Sequence, residues 1–119
     1  MNVMENMFGP VAVVTPLNPR LDAASCAAFR DRLEQVLDRG HELVVVDLSA
    51  VEFMDSTGLS AILRALRALA GRGRLACAGV RAGVRKLLEV TKLDQGLLDI
   101  HPDAETAARA LAQGREARP

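Results

Sequence analysis

The sequence predicts an α/β domain with a mixed, mostly parallel sheet of four to five strands and about four helices. A run of mostly β-branched apolar residues over 43–48 (LVVVDL) is typical of a strand buried on both faces. After a polar link, apolar side chains recur at helical spacing from Leu59 to Leu69. Strand-like and helix-like segments then alternate to the end of the chain, which favours parallel strands joined by right-handed crossovers.

The first elements are two strands. Residues 1–8 are weakly patterned and predict either a short edge strand or a frayed end, with Val3 and Met7 directed inward. A Gly-Pro turn follows, and the β-branched segment 11–15 predicts a second strand. Because the turn is so short, the two strands should pair antiparallel.

The first helix should begin at Asp22, which stands where an N-cap belongs, and end at Gly40. Its predicted inner face is Cys26, Phe29, Leu33, Val36 and Leu37. After the central strand and helix, a strand is predicted over 75–80, followed by a helix with an apolar stripe from Val84 to Thr91. A strand over 97–100 and a last helix that starts at Pro102 and Asp103 complete the chain. The predicted inner face of this last helix is Ala104, Ala107, Ala108 and Leu111. One domain with a core over about 3–113 is expected, with a disordered tail over 114–119.

The composition excludes several classes of partner. The chain has 119 residues, a formal net charge of zero and only 3% aromatic residues, which argues against nucleic-acid binding. Two isolated cysteines, Cys26 and Cys77, match no zinc or redox spacing and are expected to be buried thiols. No leader and no membrane-spanning run is evident, so we expect a cytoplasmic protein. We expect neither cofactor nor metal, and a monomer when free, because the sequence shows no long apolar patch.

The candidate site is the link Asp55-Ser56-Thr57-Gly58 between the central strand and its helix. One interpretation is a simple helix N-cap. The other is a phosphorylation switch at Ser56, because a phosphate adds charge where the helix N-terminus tolerates an anion. A hydrolase nucleophile is disfavoured, because neither His41 nor His101 is obviously within reach.

Apolar residues flank the candidate site on its amino-terminal side. Alternation predicts that Val51 and Phe53 point inward and that Met54 points outward. Phe and Met are both favoured at protein interfaces, so this loop is a candidate docking surface. The downstream segment Gly71-Arg72-Gly73-Arg74 follows a helix and predicts a helix end, not a phosphate-binding loop.

The segments RLDAAS, VVVDLSAVEFMDSTGLSAIL and LACAGVRAGVRKLLEVTKLDQGL together resemble the STAS domain family, specifically the anti-sigma factor antagonists. The resemblance implies that Ser56 is phosphorylated by an anti-sigma serine kinase with an ATP-binding, histidine-kinase-like fold. The unphosphorylated form would bind that kinase and release the sigma factor, and a PP2C-like phosphatase would restore it. Family contacts carry over to Asp22, Met54, Asp55, Ser56, Thr57 and Gly58. Pro19 departs from the family pattern, which commonly has Gly there.

Three other functions compete with this one. A STAS subunit could dock permanently on an ABC transporter ATPase, with no phosphate cycle. A receiver-like domain would need an acidic pair after an early strand, and residues 11–22 lack it. A free-standing enzyme would need an acid, a base and a nucleophile that the sequence does not bring together.

Overall fold

The computed structural model describes residues 2–93 and 98–116, with side chains as far as Gln113. Within those residues the elements in chain order are β1 (Val3–Phe8), β2 (Val11–Pro16), β3 (Arg20–Leu21), α1 (Ala27–Asp38), β4 (Leu43–Asp47), β5 (Phe53–Met54), α2 (Ser56–Leu69), β6 (Arg74–Ala78), α3 (Ala82–Val90), β7 (Asp99–His101) and α4 (Ala104–Glu116).

Five of the strands form one sheet in the order β1, β2, β4, β6, β7. β1 pairs antiparallel with β2, and the other neighbours pair in parallel. The predicted mixed, mostly parallel sheet is therefore confirmed. β4 lies at its centre, with Val44 and Val46 packed towards α1, α2 and α3, and Leu43 and Val45 packed towards α4. Burial on both faces explains why this strand is a continuous apolar run instead of an alternating one.

The amino-terminal segment is an edge strand, as one of the two alternatives predicted. Val3 is partly buried, but the prediction for Met7 is wrong, because its side chain is 51% exposed. Arg32 of α1 and Arg39, which directly follows that helix, pair with Glu5 of β1. Met7 lies farther along the strand, towards the turn.

The carboxyl-terminal helix α4 has the predicted inner face: Ala107, Ala108 and Leu111 are buried and Ala104 is half-buried. The helix extends to Glu116, beyond Gly114, where the predicted tail begins. Residues 117–119 lie outside the described residues. The last strand is Asp99–His101, and Leu97, with which it was predicted to begin, also lies outside them.

Both cysteines are free and buried, as predicted. Cys77 lies in β6, and burial raises the pKa of its thiol to about 12. The thiol therefore stays protonated and unreactive at neutral pH. Within the described ranges, no helix combines the length and apolar character needed to cross a membrane.

Candidate functional site

The turn at the start of α2 has the cap geometry that the sequence predicted. Asp55 is extended, with φ −107° and ψ −171°, and its Oδ1 accepts hydrogen bonds from the backbone N–H groups of Thr57 at 2.9 Å and Gly58 at 3.3 Å. Two of the N–H groups that a helix start leaves unpaired are thereby satisfied. Ser56 is the first residue of the helix, and its side chain is exposed.

We expect Asp55→Ala to lower the free energy of unfolding by about 1 kcal/mol, because both hydrogen bonds of the cap are lost. Asp55→Asn should keep most of the stability, since its amide oxygen can accept the same bonds. Urea denaturation of the two variants checks this. An Asn variant as unstable as the Ala variant would show that the carboxylate acts through its charge and not as a cap.

A second, two-stranded sheet beside this turn was not predicted. β3 and β5 pair in parallel, with Arg20 opposite Phe53 and Leu21 opposite Met54. The Leu21 carbonyl also accepts a hydrogen bond from the Asp55 N–H at 3.2 Å. The segment before α1 is thus joined to the segment before α2, and it brings Asp22 alongside Asp55. Strands of two residues show no periodicity, so the sequence pattern does not reveal them.

The small sheet reverses the predicted orientation of Phe53 and Met54. Met54 is only 4% exposed and packs in the main core, whereas Phe53 is 41% exposed. The prediction of Phe53 inward and Met54 outward is therefore wrong. The pairing of β3 with β5 explains it, because Leu21 and Met54 lie side by side and both point into the core. Burial leaves Met54 little surface to offer a partner, and the exposed apolar side chain at the site is Phe53.

On the exposed face of the small sheet, a cation–π contact joins Arg20 to Phe53. The Arg20 guanidinium lies over the Phe53 ring, 4.3 Å from its centroid, and its Nε donates to Asp22 Oδ2 at 3.1 Å. Such a cation–π contact contributes about 0.5–1 kcal/mol at an exposed position. Phe53 is therefore oriented on the surface and not simply left in solvent.

Asp22 does not cap α1, so that prediction is wrong. The helix begins at Ala27, with Cys26 in the N-cap position and no side-chain cap. Asp22 instead starts a tight turn: its carbonyl accepts from the N–H groups of Ser25 and Cys26, and its carboxylate from the Ala24 N–H. Hydrogen bonds from Ser25 and from Arg20 hold the pKa of the Asp22 carboxyl below its usual value. Asp22 therefore stays ionised at neutral pH, next to the Ser56 turn.

Pro19, the departure from the family pattern, also has a defined role. Its carbonyl accepts hydrogen bonds from the N–H groups of Glu52 at 2.8 Å and Phe53 at 3.1 Å. Proline lacks an N–H, but both of these hydrogen bonds use only its carbonyl. Proline in place of the family's glycine therefore keeps both of them. The turn before β3 is compatible with proline for this reason.

Gly58 is buried against the same segment. A Cβ at this position would lie 2.7 Å from the Leu21 carbonyl oxygen and 3.0 Å from both Leu21 Cβ and Met54 Cγ. Glycine is therefore required by the close approach of α2 to β3 and β5. Thr57 is half-buried between the exposed Ser56 and this contact.

The two histidines lie on other elements of the fold than the Ser56 turn. His41 precedes β4 at its amino end, whereas the Ser56 turn follows the carboxyl end of that strand. His101 lies on β7 at the far edge of the sheet, with β6 between it and β4. Across residues 2–93 and 98–116, no group of three or more His, Cys, Asp and Glu residues is arranged to hold a metal ion.

Solved structures with this fold include two bacterial regulators. The chain superposes on an anti-sigma factor antagonist from Mycobacterium paratuberculosis with a TM-score of 0.85 and 22% identity, covering 93% of each chain. It superposes on the Bacillus cell fate determinant SpoIIAA in the phosphorylated form with a TM-score of 0.69 and 19% identity, covering 92% of this chain and 98% of that one. At such low identity, these matches establish the fold.

The same fold also occurs within a much larger protein. The chain superposes on part of the murine Slc26a9 anion transporter with a TM-score of 0.70 and 18% identity, covering 92% of this chain but only 18% of the transporter. Among curated proteins, no sequence is significantly similar to this one. A family model described as "Mlab, STAS domain" matches residues 8–99, which is most of the chain. The chain therefore belongs to the STAS domain family.

Proposed function

We propose that this protein is a cytoplasmic anti-sigma factor antagonist that switches partners through phosphorylation of Ser56. In its unphosphorylated form it binds an anti-sigma serine kinase of the ATP-binding, histidine-kinase-like fold, and the sigma factor is released. Phosphorylation of Ser56 ends that binding, and a PP2C-like phosphatase restores it. The domain itself acts as a binding module and not as an enzyme.

The observation that carries this proposal is the exposed Ser56 side chain at the first position of α2. A kinase can reach such a hydroxyl without unfolding the domain. The phosphate would lie at a helix N-terminus, where the macrodipole favours an anion by about 0.3–1 kcal/mol. Modification should therefore change the surface and leave the fold intact.

The charges around Ser56 explain how a phosphate would release a partner. Asp22 and Asp55 lie side by side at the small sheet's carboxyl end, where Ser56 follows. Arg20, the cation within this group, is already engaged by Asp22 and Phe53. A phosphate brings a charge of about −1.5 to −2 to a surface that is already acidic. A partner that covers this surface with apolar or acidic groups would be repelled.

Two kinds of fold neighbour support this proposal. Anti-sigma factor antagonists are among them, and one was solved in a phosphorylated form.

The decisive experiment is to incubate the protein and its Ser56→Ala variant with ATP and the candidate anti-sigma kinase of the same organism, then to map modified residues by mass spectrometry. We expect one phosphate on the wild type, at Ser56, and none on Ser56→Ala. Modification that persists in Ser56→Ala, or none on either protein, would contradict the assignment.

The second candidate is a STAS subunit that docks constitutively on an ABC transporter ATPase. The observation in its favour is that a transporter contains the same fold as one part of its chain. In that case Asp55, Ser56 and Thr57 would only cap α2 and contact the ATPase, without being modified. Affinity purification distinguishes the two: the same transporter ATPase would be retained equally by Ser56→Ala and Ser56→Asp.

Phe53 should be the apolar anchor of the docking surface. We expect Phe53→Ala to weaken kinase binding roughly tenfold, because a partly exposed aromatic side chain held in one orientation is typical of binding hot spots. The stability of the domain should change much less than in Met54→Ala, where truncation of a buried Met costs about 2–5 kcal/mol. Calorimetric titration and urea unfolding of both variants check this. Equal binding by Phe53→Ala and the wild type would place the docking surface elsewhere.

A further inference from the structure

The two edges of the five-stranded sheet are built differently. β7 has only three residues, is followed by Pro102, and carries an ion pair between Asp99 and Arg74 at 3.0 Å. Shortness, charge and proline are the usual means of preventing a sheet edge from pairing with another chain. β1 has six residues (VMENMF) with neither proline nor lysine, and it pairs with β2 along its whole length without a bulge. β1 is therefore the unprotected edge.

The register shows which backbone groups of β1 point away from the sheet. The Leu17 N–H donates to the Asn2 carbonyl at 2.9 Å, in line with the pairing of Val3 with Pro16. Hydrogen-bonded pairs alternate along antiparallel strands, so Asn2, Met4, Asn6 and Phe8 bond to β2. The N–H and C=O groups of Val3, Glu5 and Met7 then point outward, and along the described chain no strand lies on that side. Such groups fit one kind of partner, another extended strand.

Apolar side chains accompany these backbone groups. Six large apolar residues are exposed in the described part of the chain, and three of them are on β1: Met4 at 46%, Met7 at 51% and Phe8 at 42%. The single charge on the strand, Glu5, is paired with Arg32 at 3.6 Å and with Arg39. Its charge therefore gives the edge little protection against pairing.

We propose that two copies of this chain form a dimer by antiparallel pairing of β1 with β1 about a two-fold axis at Asn6. A two-fold axis makes the edge complementary to itself, so no other sequence is needed. With the axis at Asn6, Met4 lies opposite Phe8 of the second copy and Glu5 lies opposite Met7. The competing register with the axis at Glu5 would place two carboxylates directly opposite each other, which is unfavourable. This proposal replaces the expectation of a free monomer, which rested on the lack of a long apolar patch in the sequence.

Cross-linking tests the register. Asn6 would face its own copy in a non-hydrogen-bonded pair, where Cα atoms are about 4.5 Å apart, within disulfide range. Asn6→Cys should therefore form a covalent dimer on mild oxidation. Met4→Cys is the matched control, because the two copies of residue 4 would be offset by four residues, about 14 Å along the strand. Both native cysteines are buried and should not take part. Equal cross-linking of the two variants would overturn the proposed register.

Sedimentation velocity over a wide concentration range tests the association itself. We expect the full-length wild type to form a dimer reversibly, and Phe8→Lys to weaken the dimer at least about tenfold, because the exposed Phe8 contacts Met4 of the second copy. Val90→Lys is the control, since Val90 is exposed on α3 and lies outside β1. A wild type that stays monomeric at every concentration would overturn the dimer. So would a Val90→Lys variant that dimerises as weakly as Phe8→Lys.

Discussion

Phosphorylation of Ser56 is expected to weaken binding of the anti-sigma kinase by roughly a hundredfold. The phosphate would stand next to Asp55, with Asp22 alongside on the paired segment, on a surface that a bound partner must dehydrate. Like charges brought together in an interface cost several kcal/mol, and about 3 kcal/mol corresponds to a hundredfold change in affinity. Ser56→Asp carries one negative charge instead of about two, so we expect a loss nearer tenfold. Calorimetric titration of each form with the kinase measures both values.

Ser60 provides the matched control for this prediction. It is an exposed serine one helical turn after Ser56, on the same side of α2. Ser60→Asp adds the same charge at a position without the acidic neighbours and without the helix start, so its effect on affinity should be small. Ser56→Asp should also be as stable as the wild type, because an acidic residue in the first helical turn is favourable. Equal loss of binding in both variants would mean that the kinase responds to overall charge and not to the Ser56 turn.

Gly58→Ala is expected to destabilise the domain, although alanine is the better helix former. The added Cβ would lie 2.7 Å from the Leu21 carbonyl oxygen, a backbone atom that cannot move aside like the end of a flexible side chain. Overpacking of this kind costs about 1–3 kcal/mol, whereas the gain in helix propensity is at most about 1 kcal/mol. We therefore expect a net loss of free energy of unfolding, measured by urea denaturation.

The same substitution should also weaken partner binding. Leu21 accepts the hydrogen bond from Asp55 that joins β3 to the Ser56 turn, and the added methyl group would push the two apart. Ser60→Ala is the control, because an exposed helical serine should tolerate alanine within about 0.5 kcal/mol. A Gly58→Ala variant more stable than the wild type would show that helix propensity outweighs the close contact. The role assigned to Gly58 would then be wrong.

The two effects have a common structural origin. The small sheet of β3 and β5 joins the turn before α1 to the turn before α2, and Gly58 allows α2 to approach that sheet. Asp22, Phe53 and Ser56 reach one surface only through this junction. A variant that loosens the junction and a variant that adds charge to it should both lose the kinase, but only the first should lose stability.

Features that depend only on neighbouring residues can be read from local sequence patterns. The apolar run of β4, the helical spacing of α2 and the Asp55 cap are local patterns, and each was predicted and then observed. The side chain of Ser56, at the start of this helix, is exposed.

The arrangement of the flanking residues depends on contacts between segments that are distant in the sequence. Which of Phe53 and Met54 is buried depends on the pairing of β5 with β3, about thirty residues earlier in the chain, and a two-residue strand has no period from which to read it. Asp22 has a residue type typical of a helix cap, yet the turn that it forms with Ser25 delays α1 to Ala27. Local patterns therefore place Ser56 at the start of α2, whereas long-range backbone pairing selects the residues that surround it.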